Sequence, residues 1–155
     1  MINIKKIIMF IAVVSLSIAL AVFSSKFMHS LIHRNDNLRE LAKDNVNIIQ
    51  ENFNNGNLLE IYNEGTGDFK RIITENDFLL FMKRKQEVLG NFVSSKLLAS
   101  NVINSNVVTL TYRSTYENYS LIEEFQFIRE NKSGDLQLGT YFIDDGGQRG
   151  EVIKQ

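Results

Sequence analysis

From Asn91 onward, apolar residues recur at every second position. Val108, Leu110 and Tyr112 alternate with Thr109, Thr111 and Arg113, and Phe125 and Phe127 alternate with Glu124 and Gln126. Period two is the signature of strands with one buried face and one wet face. Four strands are predicted, over Phe92 to Ile103, Val107 to Tyr116, Leu121 to Glu130 and Leu136 to Ile143. The turns between them are Asn104-Ser105-Asn106, Glu117 to Ser120 and Asn131-Lys132-Ser133-Gly134.

Upstream the period lengthens to that of a helix. Leu38, Leu41, Ala42, Val46, Ile49 and Phe53 fall at three- and four-residue spacing, with Asp36 or Asn37 as the cap and Gly56 as the stop. A short apolar piece, Leu58, Leu59, Ile61 and Tyr62, ends in a Gly65-Thr66-Gly67 turn. Thr74 with Asp77 opens a further helix, which carries Phe78, Phe81, Met82 and Leu89 and stops at Gly90. Helices first and a consecutive meander afterwards define an α+β domain, with two to three helices packed on a four-stranded antiparallel sheet.

The chain begins differently. Lys5 and Lys6 precede an uncharged run from Ile7 to Phe23, IIMFIAVVSLSIALAVF. At about 1.5 Å per residue it spans roughly 25 Å, close to the thickness of a bilayer's hydrocarbon core. The expected layout is a cytoplasmic tip, a membrane anchor over 7–23 and a juxtamembrane helix, together residues 1–34. The α+β domain then covers 36–144, and 145–155 form a flexible tail. The short N-terminal tail favours a single-pass inner-membrane protein with its C-terminal domain exported to the periplasm. The alternative is a signal peptide cleaved after Ala21, at Ala19-Leu20-Ala21, and a secreted product. No Pro or Gly breaks the helical pattern before Arg34, and this favours the anchor.

Charge and composition remove several classes of function. All of the acids lie beyond residue 34 while Lys5, Lys6, Lys26 and Arg34 do not, so the exported part has net charge about −5. Its one basic cluster is Lys83-Arg84-Lys85, which argues against nucleic acid as a partner. The chain has no cysteine, so disulfides, thiolate chemistry and cysteine metal sites are excluded.

Two stretches carry a family resemblance. In Arg84 to Leu98 (RKQEVLGNFVSSKLL) a helix ends at Gly90 and enters a strand bearing Lys96. Val107 to Ile143 holds closing hairpins, with Glu123 early in a strand and Arg129-Glu130 before a turn. This order resembles a family of small exported bacterial proteins whose domain of unknown function has a cystatin-like fold. Nuclear transport factor two and ketosteroid isomerase share that fold. The resemblance implies a curved antiparallel sheet wrapped around helices to form a cone. It conveys architecture more than activity.

Candidate chemistry is sparse. His29 and His33 share a helical face at a spacing that suits a metal, but they sit beside the anchor, and an interfacial helix face accounts for them. Asp144-Asp145 before Gly146-Gly147 lacks the further ligands of a calcium loop. Lys83-Arg84-Lys85 near a helix C-terminus suits the helix dipole. Arg113, Tyr116, Glu123 and Glu124 lie on neighbouring strands. A buried Tyr–Glu pair would exchange protons, but an exposed ion pair on the wet face is the favoured reading. Glu123 and Glu124 are adjacent in a strand and must face opposite ways.

Three functions remain open. The favoured one is a membrane-anchored, non-enzymatic cell-envelope protein whose exported domain binds another envelope protein, or a second copy as a homodimer. The second is a cone that holds a small apolar ligand, with Phe81, Tyr112, Arg113, Tyr116, Glu123, Phe125 and Tyr141 as its lining. The aromatic residues of that set, with Phe78, Met82, Phe127 and Phe142, also read as an ordinary core. The third, least supported, is an isomerase or dehydratase. No catalytic residue, cofactor or metal is assigned.

Overall fold

The computed structural model describes residues 28, 30, 32–130 and 134–155. The segment 7–23 lies outside them, and no helix among the described residues is long and apolar enough to cross a membrane. The chain divides into two units, Met1–Asp36 and Asn37–Gln155. In the first, residues 28, 30 and 32–36 are helical. The fold described below belongs to the second.

Its first helix, α1, covers residues 37–54. Leu38, Ala42, Val46, Ile49 and Phe53 form its buried stripe, whereas Leu41 falls off the stripe and is exposed. Asp36 and Asn37 are themselves helical, so neither acts as the expected cap. Three helices follow, α2 (Leu58–Asn63), α3 (Gly67–Ile72) and α4 (Glu75–Leu89). The turn expected at Gly65-Thr66-Gly67 is in fact the start of α3. The Thr66 hydroxyl accepts from the Phe69 N–H at 3.1 Å and caps the helix, a local signal that the two glycines hide. Thr74 caps α4 as its spacing predicts, accepting from the Asp77 N–H at 3.3 Å.

Gly90 ends α4 with φ 77°, a conformation that L side chains rarely adopt. A Cβ there would also stand 2.5 Å from Glu117 Oε2. That carboxylate accepts from the Asn91 N–H at 2.9 Å and closes the corner between helix and sheet.

The sheet is antiparallel, in the order β1 (Phe92–Ile103), β2 (Val107–Tyr116), β3 (Tyr119–Ile128), β4 (Gln137–Asp144). Bulges in the β1–β2 and β3–β4 pairings accompany its curl. β2 alternates strictly between half-buried and buried, and Val108, Leu110, Phe125, Phe127 and Leu138 join the helix stripes in one core. The helices pack on this one face. Phe53 of α1 meets Tyr116 of β2 with ring centroids 5.7 Å apart, and Phe81 of α4 meets Tyr141 of β4 at 6.1 Å.

The last residues are not a free tail. A short β5 (Ile153–Lys154) pairs antiparallel with the start of β3 at Tyr119 and Ser120. The Arg113 guanidinium donates to the Glu151 carbonyl at 2.9 Å, and Asp144 accepts from the backbone N–H groups of Gln148 and Arg149. Glycine-rich composition suggests fraying, but these bonds need only one arginine and one carboxylate at the right register.

Candidate functional site

The sharpest chemical feature is a buried ionic cluster that clips α4 to the sheet. In α4, Phe78, Met82, Lys85 and Leu89 recur at spacings of four, three and four, so Lys85 occupies the apolar stripe. In β3, alternation turns Glu123 inward. The Lys85 ammonium lies 2.8 Å from Glu123 Oε1, and their side chains are 5% and 0% exposed. The Tyr116 hydroxyl donates to the same carboxylate, 2.9 Å from each oxygen, and Tyr141 donates to Oε1. Lys85 in turn donates to the Tyr141 hydroxyl at 2.6 Å. Its ammonium also sits 4.3 Å from the Phe53 ring centroid and 4.6 Å from that of Tyr116.

The environment sets the protonation states. Burial lowers the Lys85 ammonium from its ordinary value, against the attraction of Glu123. Burial alone would raise the Glu123 carboxyl, but the Lys85 charge and the hydrogen bonds outweigh it and hold the group below its ordinary value. Tyr116 and Tyr141 are pushed well above theirs by burial and by the Glu123 charge. The result is an ionised carboxylate held by one cation and two neutral phenols. The isomerase reading requires a glutamate with a raised value inside a pocket; Glu123 shifts the opposite way.

The residues singled out from sequence part company here. Tyr116, Glu123 and Tyr141 converge in the cluster. The expectation that Tyr116 and Glu123 form part of an exposed network on the wet face is therefore corrected, because both point into the core. Arg113 and Glu124 do occupy the outer face, but they do not pair with each other. Glu124 takes Arg149 at 2.9 Å, and Arg113 bonds the Glu151 carbonyl. Phe125 packs on Tyr141 with centroids 5.0 Å apart, and on Tyr112 at 6.1 Å. Lys85 was missed because its neighbours Lys83 and Arg84 make it look like part of a solvated run. Its place in the apolar stripe was the available signal.

The aromatic set that could line a cone is for the most part ordinary core, the other reading of the same residues. Phe78, Met82, Phe125 and Phe127 are fully buried core, and Tyr112 is nearly so. Phe81, Tyr141 and Phe142 border a groove of about 420 Å³ between α4 and β4 that Arg84, Lys85, Val88 and Ile143 also line, and Phe78 borders a second hollow with Phe81 and Tyr141. Val88 is 58% exposed in the groove, Phe81 39% and Phe142 38%. His29 lies outside the described residues, and among the described residues no group of three metal-binding side chains is assembled. Comparison with family models, with curated proteins and with solved structures finds no match.

Proposed function

We propose that this chain is a membrane-anchored, non-enzymatic cell-envelope protein whose exported, cystatin-like domain binds another envelope protein. The observation that carries the reading is the apolar groove between α4 and β4, where Phe81, Val88 and Phe142 stay exposed beside a well-filled core. The run Ile7 to Phe23 supplies the tether, and the helices-then-meander order supports the cystatin-like assignment. The buried Lys85–Glu123 ion pair clips α4 to the sheet, as a scaffold requires, and Lys85 and Tyr141 also border the groove.

A crosslinking pull-down of the C-terminally tagged full chain from detergent-solubilised membranes tests the proposal. One reproducible envelope protein is the expected product. Recovery of soluble chain lacking its first 21 residues, with no partner, would overturn both tether and scaffold. A small apolar ligand is the second reading, and the groove volume favours it specifically. Native mass spectrometry of the freshly extracted protein should then show a stoichiometric small-molecule adduct.

A further inference from the structure

Two hollows open beside β4 and share the Phe81–Tyr141 pair as a common wall. The larger is the groove of about 420 Å³ against Tyr141, Phe142 and Ile143. The smaller, about 260 Å³, lies between α3, the start of α4 and Gly139, Thr140 and Tyr141. Phe81 and Tyr141 border both. Successive side chains of a strand point to opposite faces, yet all five residues from Gly139 to Ile143 line the hollows. The hollows therefore run along β4, and the larger one also reaches Lys85, Leu89 and Leu121 on the core side.

The outer edge of β4 is open. β3 occupies one side of β4. On the other side the chain contributes a single parallel bridge, Gly65 to Leu138. There the Thr66 N–H donates to the Leu138 carbonyl and the Leu138 N–H to the Glu64 carbonyl, each at 2.9 Å. The edge is thus already used for strand pairing near its start, at Leu138. α3 then leads the chain away. Among the described residues no backbone bond reaches the outer edge from Gly139 to Ile143. Five residues of strand give roughly 16 Å of unpaired edge.

The chemistry of a trench of this kind selects its occupant. An acyl chain fills the apolar walls but leaves the strand's N–H and C=O groups unbonded. An extended peptide satisfies both, with backbone bonds to the edge and alternate side chains in the hollows. Charge narrows the class further. Lys85 is committed to Glu123, whereas Arg84 and Asp145, both exposed on the groove wall, make no ion pair among the described residues, so the wall offers one free charge of each sign.

We infer that the β4 edge takes an extended segment of the partner protein as an added strand. Its apolar side chains at alternate positions fill the hollows on either side of the Phe81–Tyr141 pair, and an acidic side chain meets Arg84. This rests on the reading of the chain as a partner-binding module.

The test places a photocrosslinking amino acid at Val88 or Phe142 in the full chain in its own membranes. Control positions are the exposed Ile48 and Val93, away from the trench. Expected are crosslinks from the trench positions alone, mapping by mass spectrometry to one segment with alternating apolar residues and an acid. A synthetic peptide of that segment should slow exchange of the alternate, edge-facing amides between Thr140 and Ile143 in the purified full chain in detergent micelles. Val88→Asp and Arg84→Glu should each cut the crosslink yield at least tenfold, and the thermal midpoint serves as the check on folding. Crosslinks from the control positions alone would overturn the trench inference and leave partner binding standing. Crosslinks to lipid, or between two copies of the chain, would overturn the inference in favour of those occupants. An absence of protein crosslinks at every position would remove the partner-binding reading itself.

Discussion

Glu123 and Glu124 are neighbours in one strand, each paired with a cation, in opposite surroundings. Glu123 is wholly buried against Lys85. Glu124 faces outward, 30% exposed, and meets an Arg149 that is 48% exposed and also lies over the Phe142 ring. One step of strand alternation moves the same carboxylate from water into the core. The inner pair is bound by what each partner would suffer alone. The outer pair gains little, because water and salt already stabilise both ions. Equal geometry therefore does not mean equal energy.

The largest break in that comparison should come from removing one inner partner. Lys85→Ala leaves a buried carboxylate without its cation, and the expected loss is about 3–5 kcal/mol by denaturant titration of the full chain in micelles. A loss below about 1 kcal/mol would mean that the tyrosines, not the ammonium, hold Glu123. Replacing both partners, Lys85→Met with Glu123→Leu, should recover most of the loss, since apolar substitutes for a buried pair are often neutral or stabilising.

Tyr141→Phe is a smaller cut. It removes a donor to Glu123 and an acceptor for Lys85 but leaves the ion pair, and about 1–3 kcal/mol is expected. A loss as large as that of Lys85→Ala would make the phenol the centre of the cluster.

Titration sharpens the contrast by sign. The folded value of Glu123 lies below the ordinary 4.5, so its contribution is present above pH 4.5 and is lost as pH falls through the folded value. The tyrosines, ordinarily near 10.0, have raised folded values, so their contribution is present below pH 10.0 and is lost as pH rises toward those values. Lys85 has the opposite sign to the tyrosines: its folded value lies below 10.5, and its burial cost eases as pH rises toward 10.5. Stability measured against pH should therefore fall on the acid side in the wild type. The Lys85→Met, Glu123→Leu protein should show a shallower acid limb. Parallel acid limbs would remove Glu123 as their source.

The outer pair should respond least. Glu124→Gln is expected to cost about 0–1 kcal/mol, and less still at high salt. A cost above 2 kcal/mol would mean that the Arg149 loop and the β5 segment depend on this contact for their docking.

Much of the architecture is written locally. The bounds of β2 follow from alternation, those of β1 from Gly90 and the Asn104-Ser105-Asn106 turn, and the start of α4 from Thr74 three residues before Asp77. The positive φ at Gly56 and Gly90 marks two helix ends. Each of these is settled within a few residues of chain, by sterics, a cap or a period. The third strand begins two residues earlier than its apolar pattern, because Ser120 pairs with Thr115 of β2 and both Tyr119 and Ser120 pair with β5.

What the residues alone could not decide are the meetings between distant segments. Lys85 and Glu123 are 38 positions apart, and their contact exists only because the apolar stripe of α4 lies over β3. The same holds for Arg113 with Glu151, and for the trench, which appears where α3 leaves the edge of β4 after one bridge. Periodicity states that a side chain faces inward, and alternation separates Glu123 from Glu124. Neither states which residue will be met there, because the register of one element on another is a property of the packed core. The sequence by itself determined most of the elements and their order, α3 and β5 excepted, and the apolar head of the chain. Tertiary packing decided which charges became structural and which strand edge stayed open.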